Sequence, residues 1–140
     1  MPHTGRCLCG EVTLSITSEP IGARTCWCRD CQKFGGGNGT TNAFFLADSI
    51  AHEGDLTWFD SVAESGNQTR RAFCPKCGSH VFTRGSGAPE LCGVRVSMLD
   101  DSDLIAPQAV IWTDSAPAWA APDPRLPNFP KAPPPRPPKD

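Results

Sequence analysis

Seven of the eight cysteines in this chain fall into three tight groups: Cys7 and Cys9; Cys26, Cys28 and Cys31; and Cys74 and Cys77. Cys92 stands alone. Few other patterns constrain a 140-residue chain so strongly. If the C-x-C pairs lie on strands, positions i and i+2 share a face and present two sulfurs side by side. That suits a shared metal, whereas a disulfide framework gains most from partners far apart in sequence. The N-terminal "MPHTGRCLCGEV" lacks the apolar run of a signal peptide. The expected compartment is therefore the reducing cytoplasm, where cysteines ligate metals rather than pair.

The length suits one domain with a single modest core. A formal net charge of −2 leaves no basic field for a nucleic-acid backbone. No run of eighteen apolar residues predicts a membrane-spanning helix. "EVTLSIT" alternates strictly, with Val12, Leu14 and Ile16 on one face, and "GVRVSML" repeats the pattern with Val94, Val96 and Met98 against Arg95 and Ser97. "TNAFFLA", "LTWFD", "RRAFC", "HVFTR" and "AVIWT" are further short β-rich runs between Gly, Asn, Ser and Asp clusters. No window carries a helical stripe, and "SMLDDSDLI" offers one turn at most. The expectation is an all-β domain of short antiparallel strands over residues 1–130. Eleven of the fifteen prolines lie from Pro107 onward. There Trp119, Leu126 and Phe129 could pin an extended segment to the surface. Residues 131–140, "KAPPPRPPKD", read as a polyproline-like or disordered tail.

Cys7, Cys9, Cys74 and Cys77 make up a complete tetrahedral zinc shell of two pairs across a long insertion. Such a closed site supplies folding energy rather than reactivity. Cys26, Cys28 and Cys31 remain. Three protein ligands and one exchangeable position are the pattern of catalytic zinc. Three thiolates make the metal a weak Lewis acid, better suited to holding an incoming thiol as thiolate. The alternative pairing, in which the triad recruits Cys74 or Cys77 and leaves Cys7 and Cys9 open, stays open at this level. Gly35, Gly36, Gly37 and Gly39 either let backbone approach a ligand or simply turn the chain. His80 is a ligand, an acid/base or an ordinary strand histidine. Trp27 is a shield for the metal or a stacking surface, and Cys92 reads as a core thiol.

"GRCLCGEVTLSI", "CWCRDCQ", "RRAFCPKCGSHVF", "VSMLDD" and "VIWTDSAPAWAAPDPRLPNF" together resemble the glutathione-dependent formaldehyde-activating enzyme family (S-(hydroxymethyl)glutathione synthase, CENP-V/GFA domain). The resemblance covers about Gly5 to Phe129. It implies a β-tent of folded antiparallel sheets, similar in shape to zinc-bearing methionine sulfoxide reductases. It also implies two zinc ions per chain, a structural one on Cys7, Cys9, Cys74 and Cys77 and an exchangeable one on Cys26, Cys28 and Cys31. The implied activity is a carbon–sulfur lyase or synthase acting on a thiol adduct, with glutathione and formaldehyde as substrates. Family members often carry histidine where this chain has Trp27 and Val110. Against the enzyme stands a non-catalytic zinc module with a structural or partner-binding role, which a fourth ligand such as His80 would favour.

Overall fold

The computed structural model describes residues 3–133. Ten strands dominate: β1 (His3–Arg6), β2 (Thr13–Ile16), β3 (Gly22–Cys26), β4 (Thr40–Leu46), β5 (Ile50–Glu53), β6 (Thr57–Val62), β7 (Gln68–Phe73), β8 (His80–Gly85), β9 (Leu91–Arg95) and β10 (Val110–Ile111). A six-residue helix, α1 (Arg29–Phe34), is the only α-helix among the described residues. One sheet has three strands in the order β1-β2-β5, and the other has seven in the order β10-β3-β4-β9-β8-β7-β6. Neighbours pair antiparallel except β10 and β3, which run parallel. The all-β expectation holds.

Both sheets feed one core. Leu14 and Ile16 of β2, with Val12 just before it, are buried in one cluster with Phe45, Val81 and Val94. Each such side chain contributes roughly 1.5–3 kcal/mol by leaving water. The alternation expected for "GVRVSML" does not persist. Strand β9 ends at Arg95 and is buried along its whole length, and Val96–Met98 turns into a 3-10 helix. A strand covered on both faces loses the period-two signal, so Arg95 lies inside rather than outside. "SMLDDSDLI" forms two short 3-10 turns, Val96–Met98 and Ser102–Leu104.

Of the expected apolar anchors Trp119 is 67 % exposed, whereas Leu126 and Phe129 are half-buried, and backbone bonds hold the segment as well. Val110 N–H donates to Pro127 O at 2.9 Å, and Phe129 N–H returns to Val110 O at 2.8 Å. Trp112 N–H reaches Lys131 O at 3.1 Å, with the Lys131 ammonium over the indole at 5.6 Å. The segment around 127–131 thus lies along β10 as a strap. Of the proline-rich tail, residues 134–140 fall outside the described residues.

Candidate metal centres

Two turns build the first centre. Cys7 and Cys9 follow β1 in a loop, not on a strand, so their sulfurs converge because the chain turns rather than because a strand alternates. Gly10, at φ 83°, closes that turn and donates its N–H to Cys7 O at 3.1 Å. The second turn follows β7 and is built alike: Gly78, at φ 77°, donates to Cys74 O at 2.8 Å. Left-handed backbone at both positions favours glycine. Val12 N–H points at Cys7 Sγ from 3.3 Å, an amide–sulfur bond that favours the thiolate. Ser79 ties the turns together: its hydroxyl accepts Leu8 N–H at 3.1 Å and lies 3.2 Å from Cys77 Sγ. That hydroxyl, followed by the Ser79 amide, pulls the Cys77 thiol down to about 5.

The four sulfurs lie within 4.8 Å of one another, with Cys7–Cys9 at 3.6 Å and Cys9–Cys74 at 3.8 Å. A tetrahedron with metal–sulfur bonds near 2.3 Å has edges of about 3.8 Å. The donor set and its spacing therefore fit a tetrathiolate metal.

The second cluster joins Cys26, Cys28 and Cys31, again with all sulfurs within 4.8 Å. Cys26 is the last residue of β3, Cys28 is the N-cap of α1, and Cys31 lies in its first turn. Cys28 Sγ accepts the Cys31 N–H at 3.3 Å, so the ligand spacing and the helix start are one feature. Hydrogen bonds from the Cys26 and Cys28 thiols pull the Cys31 thiol down to about 2, with the Thr40 hydroxyl and Arg95 guanidinium helping. Cys26 is pushed up by those same two neighbours. Without a metal, three adjacent thiols hold one charge among them; a divalent cation would let all three ionise.

No cysteine of the first centre joins the triad, and no histidine or carboxylate among the described residues supplies it with a fourth donor. The alternative pairings and the ligand role for His80 are thus not realised. Cys92 stands outside both clusters, buried, its thiol pushed up to about 11 by desolvation. Trp27 is 6 % exposed, which leaves it no open face for stacking. It belongs to the packing behind the triad.

Gln32, on α1, anchors the triad loop. Buried at 5 % exposure, it donates from Nε2 to Trp27 O at 2.7 Å and to Ser115 O at 2.8 Å, while Arg29 donates to its Oε1 at 2.6 Å. Beside the triad opens a cleft of about 400 Å³ lined by Phe34, Thr40, Ser79, His80, Arg95 and Ser97, with Gly35, Gly39 and Gly78 at its walls. Gly36 and Gly37 take left-handed backbone, at φ 70° and 110°. The Phe34 and His80 rings meet at 4.5 Å. Burial first, then Arg95 and Arg71, lowers the His80 pKa and keeps the imidazole neutral at pH 7. Its Nδ1 is buried without a hydrogen-bond partner.

Residues 2–115 match the profile of the family described as glutathione-dependent formaldehyde-activating enzyme, well over half of the chain. The chain belongs to that family. A crystal structure of a Rhodobacter sphaeroides protein shares the fold, with a TM-score of 0.59 and 24 % identity over 74 % of this chain and 96 % of that one. No curated protein matches. The formaldehyde-activating family match ends at residue 115, so the strap around 127–131 lies beyond it. Cysteine spacing revealed this chain's two clusters, but not Ser79, Gln32, Arg71 or Arg95. For Arg95 a signal was present: a single charge inside the otherwise apolar run "LCGVRV" marks a buried, partnered charge.

Proposed function

We propose that this protein is a zinc-dependent carbon–sulfur lyase or synthase acting on a thiol adduct, with glutathione and formaldehyde as the substrate pair suggested by the family. One observation carries the reading: three sulfurs, and no fourth donor among the described residues, converge beside a cleft. Cys7, Cys9, Cys74 and Cys77 would hold a structural zinc. A second zinc on Cys26, Cys28 and Cys31 would offer its fourth position to a substrate sulfur and keep that sulfur ionised.

The rest falls to the chain. In the synthetic direction the thiol sulfur bonds to the carbonyl carbon, the C=O π bond opens, and the thiol proton ends on that oxygen. His80, which lines the cleft and whose buried Nδ1 has no hydrogen-bond partner, would relay this proton. Phe34, Gly35, Gly39 and Gly78 would form the walls against which a substrate rests.

Cobalt in the triad tests the reading. A visible spectrum that gains sulfur charge-transfer intensity on adding a small thiol, but not its oxygen analogue, is expected. Cys28→Ser should abolish that response and spare the fold, whereas Cys77→Ser should prevent folding. A spectrum that already reports four sulfurs and ignores every thiol would overturn the enzyme in favour of a closed zinc module.

A further inference from the structure

A second recess, of about 160 Å³, draws its lining from both sheets. Ile50 and His52 come from β5 of the smaller sheet, and Trp58, Phe82, Arg84 and Cys92 from β6, β8 and β9 of the larger. It is separate from the triad cleft. Cys92 lines the recess and Arg95 the cleft, and three residues apart on β9 they face opposite sides of the sheet. On β8 the register shift opposite Ala72 and Phe73 makes the same division, with His80 on the cleft side and Phe82 and Arg84 on the recess side.

Aromatic rings form the walls. Phe82 is buried and lies nearly parallel to Trp58, with ring centroids 6.5 Å apart at 22°, and His52 tilts against Phe82 at 5.7 Å. The Arg70 guanidinium sits over the Trp58 ring at 4.8 Å and is tied to Asp60 at 2.8 Å, which braces the indole. Packed interiors leave few spaces larger than a water molecule, so this one calls for an occupant. An engineered protein cavity of about 150 Å³ holds one benzene. The recess therefore has room for a single ring and none for a tripeptide thiol.

Charge narrows the occupant further. No Asp or Glu lines the recess. Arg84 donates from Nη2 to Pro89 O at 2.8 Å and forms no ion pair among the described residues. The Cys92 thiol does not answer that charge, because burial pushes it up to about 11 and it stays neutral at pH 7 even with Arg84 pulling it down. A cationic ligand would meet both Arg84 and Arg70. A carboxylate on a flat ring suits both features, with the ring against Trp58 and Phe82 and the carboxylate on the guanidinium fork. We infer that this recess binds a small single-ring aromatic carboxylic acid, at a site independent of the metal centres and of the thiol chemistry proposed for the triad.

Benzoate is the probe, titrated into the metal-loaded full chain and followed by NMR at the Trp58 indole N–H and the His52 ring. Both signals should shift saturably, with a dissociation constant on the order of 1 mM or tighter. Benzamide, alike in shape but uncharged, should bind about tenfold more weakly, since a charge-assisted hydrogen bond is lost. Acetate, which brings charge without a ring, should leave both signals in place. Arg84→Gln should lower benzoate to the affinity of benzamide, and Arg84→Lys should keep part of the preference. No saturable shift, or equal affinities for benzoate and benzamide in the unaltered protein, would overturn the inference whether or not the variants fold. A benzoate shift at His80 in place of Trp58 and His52 would overturn it too, by placing the acid in the triad cleft. The cobalt spectrum reports on the triad alone, so failure at this recess leaves the thiol-binding reading standing.

Discussion

Ser79 bonds Leu8 N–H and the Cys77 sulfur at once, so one hydroxyl holds two turns that are 71 residues apart. Replacing it with alanine should cost about 1 kcal/mol in chemical denaturation. The pH response has a definite sign. With no metal bound, the Ser79 hydroxyl holds the Cys77 thiol down to about 5 against an ordinary 9.0, so its preference for the thiolate, and with it the hold on a metal, is lost as pH falls through 5. Ser79→Ala removes the leading cause of that depression, and the acid edge of the stability profile should move to higher pH. An unmoved edge would show that the amide alone sets the thiolate. Gly35 makes a second prediction at this scale. A Cβ there would lie 2.4 Å from Asn38 O and 2.8 Å from Gly39 O, with Cys31 O at 3.1 Å. These are backbone atoms and cannot swing away. Gly35→Ala should cost about 2–3 kcal/mol and loosen the triad metal, measured by denaturation and by metal retention after dialysis.

Among the elements, α1 and the stretch from Ile111 to Ser115 decide how firmly the triad is held. Trp27 N–H donates to Ile111 O at 3.0 Å, and Gln32 joins the Trp27 carbonyl to Ser115. Gln32→Leu would strand the buried Trp27 carbonyl and the half-buried Ser115 carbonyl at a cost of about 2 kcal/mol. It should release the triad metal faster to a chelating dye while leaving release from the four-cysteine centre unchanged. Equal acceleration at both centres would refute this division of labour. Legibility differed from element to element for physical reasons. Strand β2 showed itself because one face is buried and one is not, so Val12, Leu14 and Ile16 alternate cleanly. Strands β1, β3 and β5 are short and polar and went unread. Helix α1 has only six residues, too few for a periodic stripe, and owes its start to the Cys28 cap. The two clusters were legible because ligand spacing within a turn is local. The burial of Arg71 was not, because it depends on which strands come to lie beside it.

For the molecule as a whole, metal loading changes charge as well as stability. A tetrathiolate centre adds −2 and the triad −1, taking the formal −2 to −5. Isoelectric focusing of loaded protein should therefore fall below the 5.9 of the bare sequence. Mild chelation should recover one charge step with the fold intact. Stripping the four-cysteine centre should unfold the chain, because that centre joins the end of β1 to the end of β7 across most of the core. A protein that loses both metals in one step together with its fold would contradict two separate centres. The strap has one more consequence. Every open sheet has two flanks that can recruit a foreign strand and seed fibrils. Beside β10 the chain lays down Pro127 and Pro130, residues with no N–H to offer, so growth on that side is blocked by composition. The other flank, β6, carries exposed Phe59 and Val62 beside Asp60. On the seven-stranded sheet, templated growth therefore has a direction, and it starts from β6.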